Sequence, residues 1–293
     1  MPRPESFSTI GFPFQPAPES SGAGPALPSP KELRQRTARR EITERRRMTQ
    51  RLRQALCSGG LILHYQPIIN FSSGLSCGAE TFIRLQHTRR GLIPAAHFMP
   101  IAERSDVIID IAGWTINTAC AEAAGWPGHF SIFTALSSRH LQSGKLVQQL
   151  LEALSRSGLP PERLHMEITE SMLLDENDDT IFALRALQGL GVPLALNNFG
   201  TGYASLSALK RLKLSTLRLD RSLIQNLSEP SGLAIMRAAV QAGHALGCRV
   251  QANGVETAEQ FHRLAEIGAD EGQGAYFSAP VDAAEMAAMF THG

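Results

Sequence analysis

Residues 192–224 read VPLALNNFGTGYASLSALKRLKLSTLRLDRSLI, and this stretch decides the fold class. It opens on a short apolar run, Val192 to Leu196, and closes on a second one, Thr216 to Leu219. Each run breaks off into polar residues, Asn197 and Asn198 after the first and Asp220 and Arg221 after the second. Working outward, the same unit recurs. Strand-like runs lie at 61–69, 130–136, 164–168 and 249–252, and helix-spaced stretches lie at 141–157, 232–246 and 256–267. Strand and helix in alternation over some 240 residues predict an α/β fold with a largely parallel sheet. A (β/α)8-type barrel and an open doubly wound sheet both satisfy the pattern, and chain length favours the barrel. In a parallel barrel all strand C-termini face one way. The polar groups after the strands (Glu167, Glu170, Asn197, Asn198, Asp220, Arg221, Asn253 and Glu256) are therefore expected to converge on one mouth.

Composition bounds what surrounds this body. The chain has 293 residues, 43% hydrophobic and 19% charged, with a net charge of +1. Residues 1–30 hold eight of the seventeen prolines and little apolar mass, which predicts a disordered tail. Residues 31–53, KELRQRTARREITERRRMTQRLR, carry ten basic and three acidic residues, a local charge of +7, in a helix-forming segment without Gly or Pro. The remainder, 54–293, is mildly acidic at −5. The basic segment reads as a charged, exposed lead-in helix. Its functional alternative is an electrostatic handle for an acidic partner, nucleic acid or anionic lipid. No run reaches the ~18 apolar residues of a membrane span, and MPRPESFSTI has no apolar signal core, so a cytoplasmic protein is expected. Cys57, Cys77, Cys120 and Cys248 are scattered without metal-ligand spacing, and neither a zinc site nor a disulfide framework is expected.

Several segments resemble one family, in order, from about residue 48 to 290. HYQPII at 64–69, GAETFIRL at 78–85, MEITESMLL at 166–174, NNFGTGYASLSALKRLKLSTLRLDRSLI at 197–224, NGVETAEQ at 253–260 and GADEGQGAYFSAP at 268–280 resemble the EAL domain, the cyclic di-GMP phosphodiesterase domain of bacteria. The resemblance implies a modified (β/α)8 TIM-like barrel with an antiparallel first strand. It also implies a mouth at which carboxylates and an asparagine hold Mg²⁺ or Mn²⁺ to activate a water. Position by position, Glu80, Glu167, Asp220, Glu256 and Gln273 keep the family's residues, and Arg84 is the arginine that follows its signature. Ala135 stands for the ligand asparagine, Asn197 and Asn198 for the paired aspartates, Arg218 for the lysine associated with the attacking water, and Asn253 for a glutamate. An amide oxygen ligates a metal but does not neutralise it, and a guanidinium is not a tunable base.

These substitutions lead to the expectation of a degenerate domain that is not an enzyme and holds no metal. Such a domain is read as a regulator acting through protein contacts in cyclic di-GMP-related signalling. A metal-independent cyclic di-GMP receptor is the alternative, and residual phosphodiesterase activity ranks below both. Arg84 and Arg218 would then face the phosphates, with Glu80, Glu167, Asp220, Glu256 and Gln273 completing the ligand site. The retained Phe199-Gly200-Thr201-Gly202-Tyr203 loop points to a homodimer.

Overall fold

The computed structural model describes residues 30–128, 130–174, 178–200, 209 and 211–291. The chain divides into two units, Met1–Glu44 and Arg45–Gly293. Helix α1 runs Pro30–Ser58. Within the second unit, its Met48, Leu52, Ala55 and Leu56 pack with Leu61, Leu85, Phe98, Ile108 and Ile111 in a small apolar cluster. The expectations placed on residues 1–29 and on Thr201, Gly202 and Tyr203 lie outside the described residues.

The second unit is a closed barrel. Its strands are β1 (Leu61–Asn70), β2 (Ser76–His87), β3 (Gly91–Pro94), β4 (Ser131–Ala135), β5 (Leu164–Thr169), β6 (Leu194–Phe199), β7 (Leu214–Leu219), β8 (Arg249–Asn253) and β9 (Glu271–Gln273). Their order is β1-β9-β8-β7-β6-β5-β4-β2-β3, and an additional β1–β2 pairing closes eight of them into a ring with β3 outside it. That pairing removes the open doubly wound alternative. Strand β1 is antiparallel to both neighbours, β2 and β9, whereas β2 and β4 to β9 run parallel around the rest of the ring. The antiparallel start follows from the short Phe71–Leu75 turn, which returns the chain directly into β2.

Side chains alternate across each strand. Leu164, Met166 and Ile168 of β5, Leu194 and Leu196 of β6, Leu217 and Leu219 of β7, and Val250 and Ala252 of β8 join the large core beneath the helices. The alternate residues face the barrel axis, and from β5 to β9 most of them are polar: His165 and Glu167, Asn197, Thr216 and Arg218, Arg249, Gln251 and Asn253, Glu271 and Gln273. The expected helix at 141–157 is two helices, Ser138–Gln142 and Leu146–Ser157, because Gly144 between them takes φ +72°, a left-handed conformation that costs glycine little.

His165 lies toward the strand N-termini, stacked on Phe133 with ring centroids 4.3 Å apart. Burial first, then the positive fields of Arg249 and Arg218, lower its pKa to about 4. The folded chain therefore holds His165 neutral where the unfolded chain, with an ordinary imidazole near 6.5, binds a proton. This contribution to stability is complete above about pH 6.5 and is lost as pH falls toward 4, at roughly 1.4 kcal/mol per unit. Urea unfolding at pH 7.5 and pH 5 is expected to show a loss of about 2 kcal/mol that is absent in His165→Asn. Identical losses in the two proteins would refute the assignment.

Candidate functional site at the barrel mouth

The C-terminal ends of the parallel strands carry one polar cluster centred on Arg218. Its side chain is fully buried, at 0% exposure. Nη2 donates to Oε2 of Glu80 at 2.6 Å, to Oε1 of Gln273 at 2.9 Å and to Oδ1 of Asn253 at 3.3 Å. Nη1 is ion-paired with Oε1 of Glu167. Five strands contribute these groups, since the period-two alternation turns the side chains of β2, β5, β7, β8 and β9 inward at the same level. The guanidinium also lies over the Phe133 ring, 5.6 Å from its centroid.

A ring of amides holds the acceptors in place. Gln273 Nε2 donates to Gln66 Oε1 at 2.8 Å and to Glu80 Oε2 at 2.7 Å. Asn197 Nδ2 donates to Glu167 Oε2 at 2.8 Å, and Asn253 Nδ2 donates to Asn197 Oδ1 at 3.3 Å. Gln251 Nε2 bridges Asn253 Oδ1 at 3.3 Å and Gln273 Oε1 at 3.2 Å. A carboxylate at 197 or 253 has no donor for these contacts, so the amides and the guanidinium form one self-consistent set.

Of the residues expected at the site, Glu80, Glu167, Arg218, Gln273, Asn197 and Asn253 come together. Asp220 instead caps the following helix, α8 (Arg221–Gln225), accepting from Ser222 N at 2.8 Å. Glu256 pairs with Arg221 at 2.7 Å on the exposed rim. Asn198 sits at φ +56° with its N–H on Asn197 Oδ1 at 2.9 Å. Ala135 ends β4 opposite Glu167 and is exposed. Arg84 shares the face of Glu80 and Phe82 on β2, past the end of the ring, its guanidinium 5.6 Å above the Phe82 ring and donating to Ile83 O at 3.2 Å. Gln66 and Gln251 were missed. Their signal was the period-two polar alternation in HYQPII and RVQAN, which places them on the axis side.

The family's divalent ions can be tested against these donors. Both carboxylates of the cluster are already paired to a buried cation, and the remaining oxygens are neutral amides. Among the described residues no group of three His, Cys, Asp or Glu side chains is placed to hold an ion. The set as arranged does not fit a divalent pair, whose ligands must offset its charge.

A sequence profile described as the EAL domain matches residues 49–280. The chain belongs to the EAL domain family. Its EAL domain is 36% identical over 242 residues to the bifunctional diguanylate cyclase/cyclic di-GMP phosphodiesterase MucR of Pseudomonas aeruginosa, covering 81% of this chain and 35% of that protein. It is 34% identical over 249 residues to the cyclic di-GMP phosphodiesterase NbdA of the same organism, covering 83% of this chain and 32% of that protein. The chain thus spans about a third of the length of these curated relatives. A solved structure described as the PaMucR phosphodiesterase in complex with c-di-GMP matches with a TM-score of 0.78 at 35% identity, covering 82% of this chain and 99% of that one.

The EAL domain is therefore one that occurs in cyclic di-GMP signalling proteins, as the resemblance implied. The expectation that the chain is not an enzyme is corrected here: relatives named as phosphodiesterases match across this same domain. That expectation rested on the substitutions at positions 135, 197, 198, 218 and 253, and substitutions read from sequence do not by themselves decide turnover. No described helix is long and apolar enough to cross a membrane.

Proposed function

We propose that the chain binds cyclic di-GMP at the C-terminal mouth of its barrel, and that it does so without a divalent ion. The observation that carries this reading is the partial neutralisation of the mouth by a cation of the chain's own. Arg218 offsets one of the two carboxylates, Glu80 and Glu167, and Asn197 and Asn253 add no charge. A ligand with two phosphodiesters meets far less repulsion there than at a mouth of unpaired carboxylates.

Arg218, fully buried, acts on that balance from beneath. Arg84, half-buried above Glu80, is the guanidinium within reach of a phosphate, and a planar fork of donors suits phosphate oxygens. A cavity of about 200 Å³ beside the mouth has apolar walls from Phe82, Met99, Ile108 and Ala135, with Glu103 on its edge. Glu103 Oε2 already accepts from Ser137 Oγ at 2.9 Å. Apolar walls suit the face of a purine, and a carboxylate suits the N–H donors on the edge of guanine.

Calorimetric titration of cyclic di-GMP into the full chain, once with Mg²⁺ and once with EDTA, tests the reading. Binding at about micromolar or tighter is expected in both buffers, weakened at least tenfold (about 1.4 kcal/mol) by Arg84→Ala. No heat in either buffer would overturn the binding, and heat only with Mg²⁺ would overturn its independence of metal. Linear product measured in the same samples reads turnover separately from binding.

A further inference from the structure

The contacts of Arg218 have the form of an ion's coordination shell. A single nitrogen, Nη2, meets three oxygens at 2.6, 2.9 and 3.3 Å, from Glu80, Gln273 and Asn253, and the adjacent Nη1 meets a fourth from Glu167. Two of the four oxygens are anionic and two are neutral amide oxygens. This is the hard-oxygen donor type that Mg²⁺, Mn²⁺ and Ca²⁺ take.

The oxygens are also oriented inward by a second layer of partners. Three of the four groups that face the guanidinium have their other end engaged by a neighbour, and Glu80 is held through the same Oε2 that meets the guanidinium. Gln273 Nε2 is held by Gln66 and Glu80, Asn253 Nδ2 by Asn197, and Glu167 Oε2 by Asn197 Nδ2. Such outer contacts fix ligand direction at ion sites. The guanidinium itself is less well matched to its surroundings, because Arg218 Nε is buried with no hydrogen-bond partner. Among the described residues Nη1 likewise has no hydrogen bond, only its ion pair with Glu167, so Nη2 alone is fully engaged by the cage.

We propose that Arg218 is a resident cation seated in an oxygen cage of the divalent-ion type, formed by Glu80, Glu167, Asn253 and Gln273, and that its side chain and a divalent ion exclude one another there. Taking the guanidinium away leaves the buried carboxylate of Glu167, the partly buried one of Glu80 and two inward amide oxygens around the space it filled, with the outer contacts unchanged. The inference stands apart from dinucleotide binding, because its probe is the metal ion alone.

Mn²⁺ titration of the full chain, with free Mn²⁺ followed by electron paramagnetic resonance, tests it. The native chain is expected to bind no Mn²⁺ tighter than about 1 mM at the mouth, whereas Arg218→Ala is expected to bind one ion at least 100-fold more tightly, on the scale set by ligand charge in oxygen sites. Adding Glu80→Gln to Arg218→Ala is expected to return the affinity to the native level. One Mn²⁺ bound equally by the native chain and Arg218→Ala, or none bound by a folded Arg218→Ala chain, overturns the proposal.

Should Arg218→Ala be unfolded in EDTA, Mn²⁺ and not Na⁺ is expected to restore its circular dichroism and unfolding transition, because an ion that binds only the folded chain stabilises it. If it remains unfolded with Mn²⁺, Arg218→Lys decides. Its flexible ammonium keeps a charge in the cage yet swings aside or sheds its proton, so it is expected to admit Mn²⁺ at least tenfold more tightly than the native chain. Equal affinity in those two proteins overturns the proposal.

Discussion

Replacing Arg218 with methionine is expected to lower the unfolding free energy by about 3–5 kcal/mol, the cost of removing one partner from a buried ion pair. Methionine nearly fills the space, so the loss is one of charge rather than of cavity. Glu167, with a side chain 1% exposed, and Glu80, at 16%, are left without their counter-charge. Gln273 Oε1 and Asn253 Oδ1 also lose a donor. For a domain of this size the drop corresponds to a fall in melting temperature on the order of 10 °C. Neutralising the carboxylates should recover much of it. Glu167→Gln in the Arg218→Met background is expected to be less destabilising than the sum of the two single changes by at least about 1 kcal/mol, as contacting sites couple. Urea unfolding of the four proteins gives the cycle. A loss below about 1 kcal/mol for Arg218→Met, or strict additivity, would show that the network carries no such energy.

Arg163→Met is expected to cost about 3 kcal/mol, from charge-assisted hydrogen bonds worth about 1.5–3 kcal/mol each. Arg163 is 8% exposed, in the turn just before β5. Its Nε donates to Phe130 O at 2.9 Å, and its Nη2 donates to Ala123 O at 2.9 Å and to Trp126 O at 3.4 Å. Ala123 belongs to the last turn of α3 (Val107–Ala124), so the guanidinium also places positive charge at a helix C-terminus. One side chain therefore ties that helix end, the loop after it and the approach to β4 together. Arg163→Lys is expected to rescue little, since a single ammonium does not span carbonyls reached by both Nε and Nη2. Full recovery of the urea midpoint in the lysine variant would sink this account.

The parallel strands after β4 were legible as apolar runs, because Leu164, Met166 and Ile168 or Leu217 and Leu219 must face the helices whatever lies inside the ring. Strands β2 and β9 were not. Glu271–Gln273 is three residues long, two of them polar, and it is a strand only because β1 and β8 flank it. Within the site, Glu80, Glu167 and Gln273 could be placed by resemblance to the family, whereas their grip on Arg218 could not. A substituted residue announces a change of charge, and only the register across five strands shows where that charge goes. Asp220 and Glu256 mark the limit of motif reading. Both stand in the right segments, and local chemistry takes them elsewhere, one to a helix cap and one to a rim ion pair.

The ring's seam has a consequence for how the chain is made. Strand β1 meets β9 through only two residue pairs, Ile69 with Gly272 and Asn70 with Glu271, backed by a bridge from Tyr65 to Val281. Those partners are separated by some two hundred positions, and a ribosome adds about 5–20 residues per second. For roughly ten seconds or more the hairpin of β1 and β2 exists with its outer edge unpaired and open to other strands. The residues of the mouth are synthesised in the same order: Glu80 first, Glu167 next, then Arg218, and Gln273 last. The two acids are thus synthesised ahead of the base that balances them, and the strand that completes the ring over all three is made last.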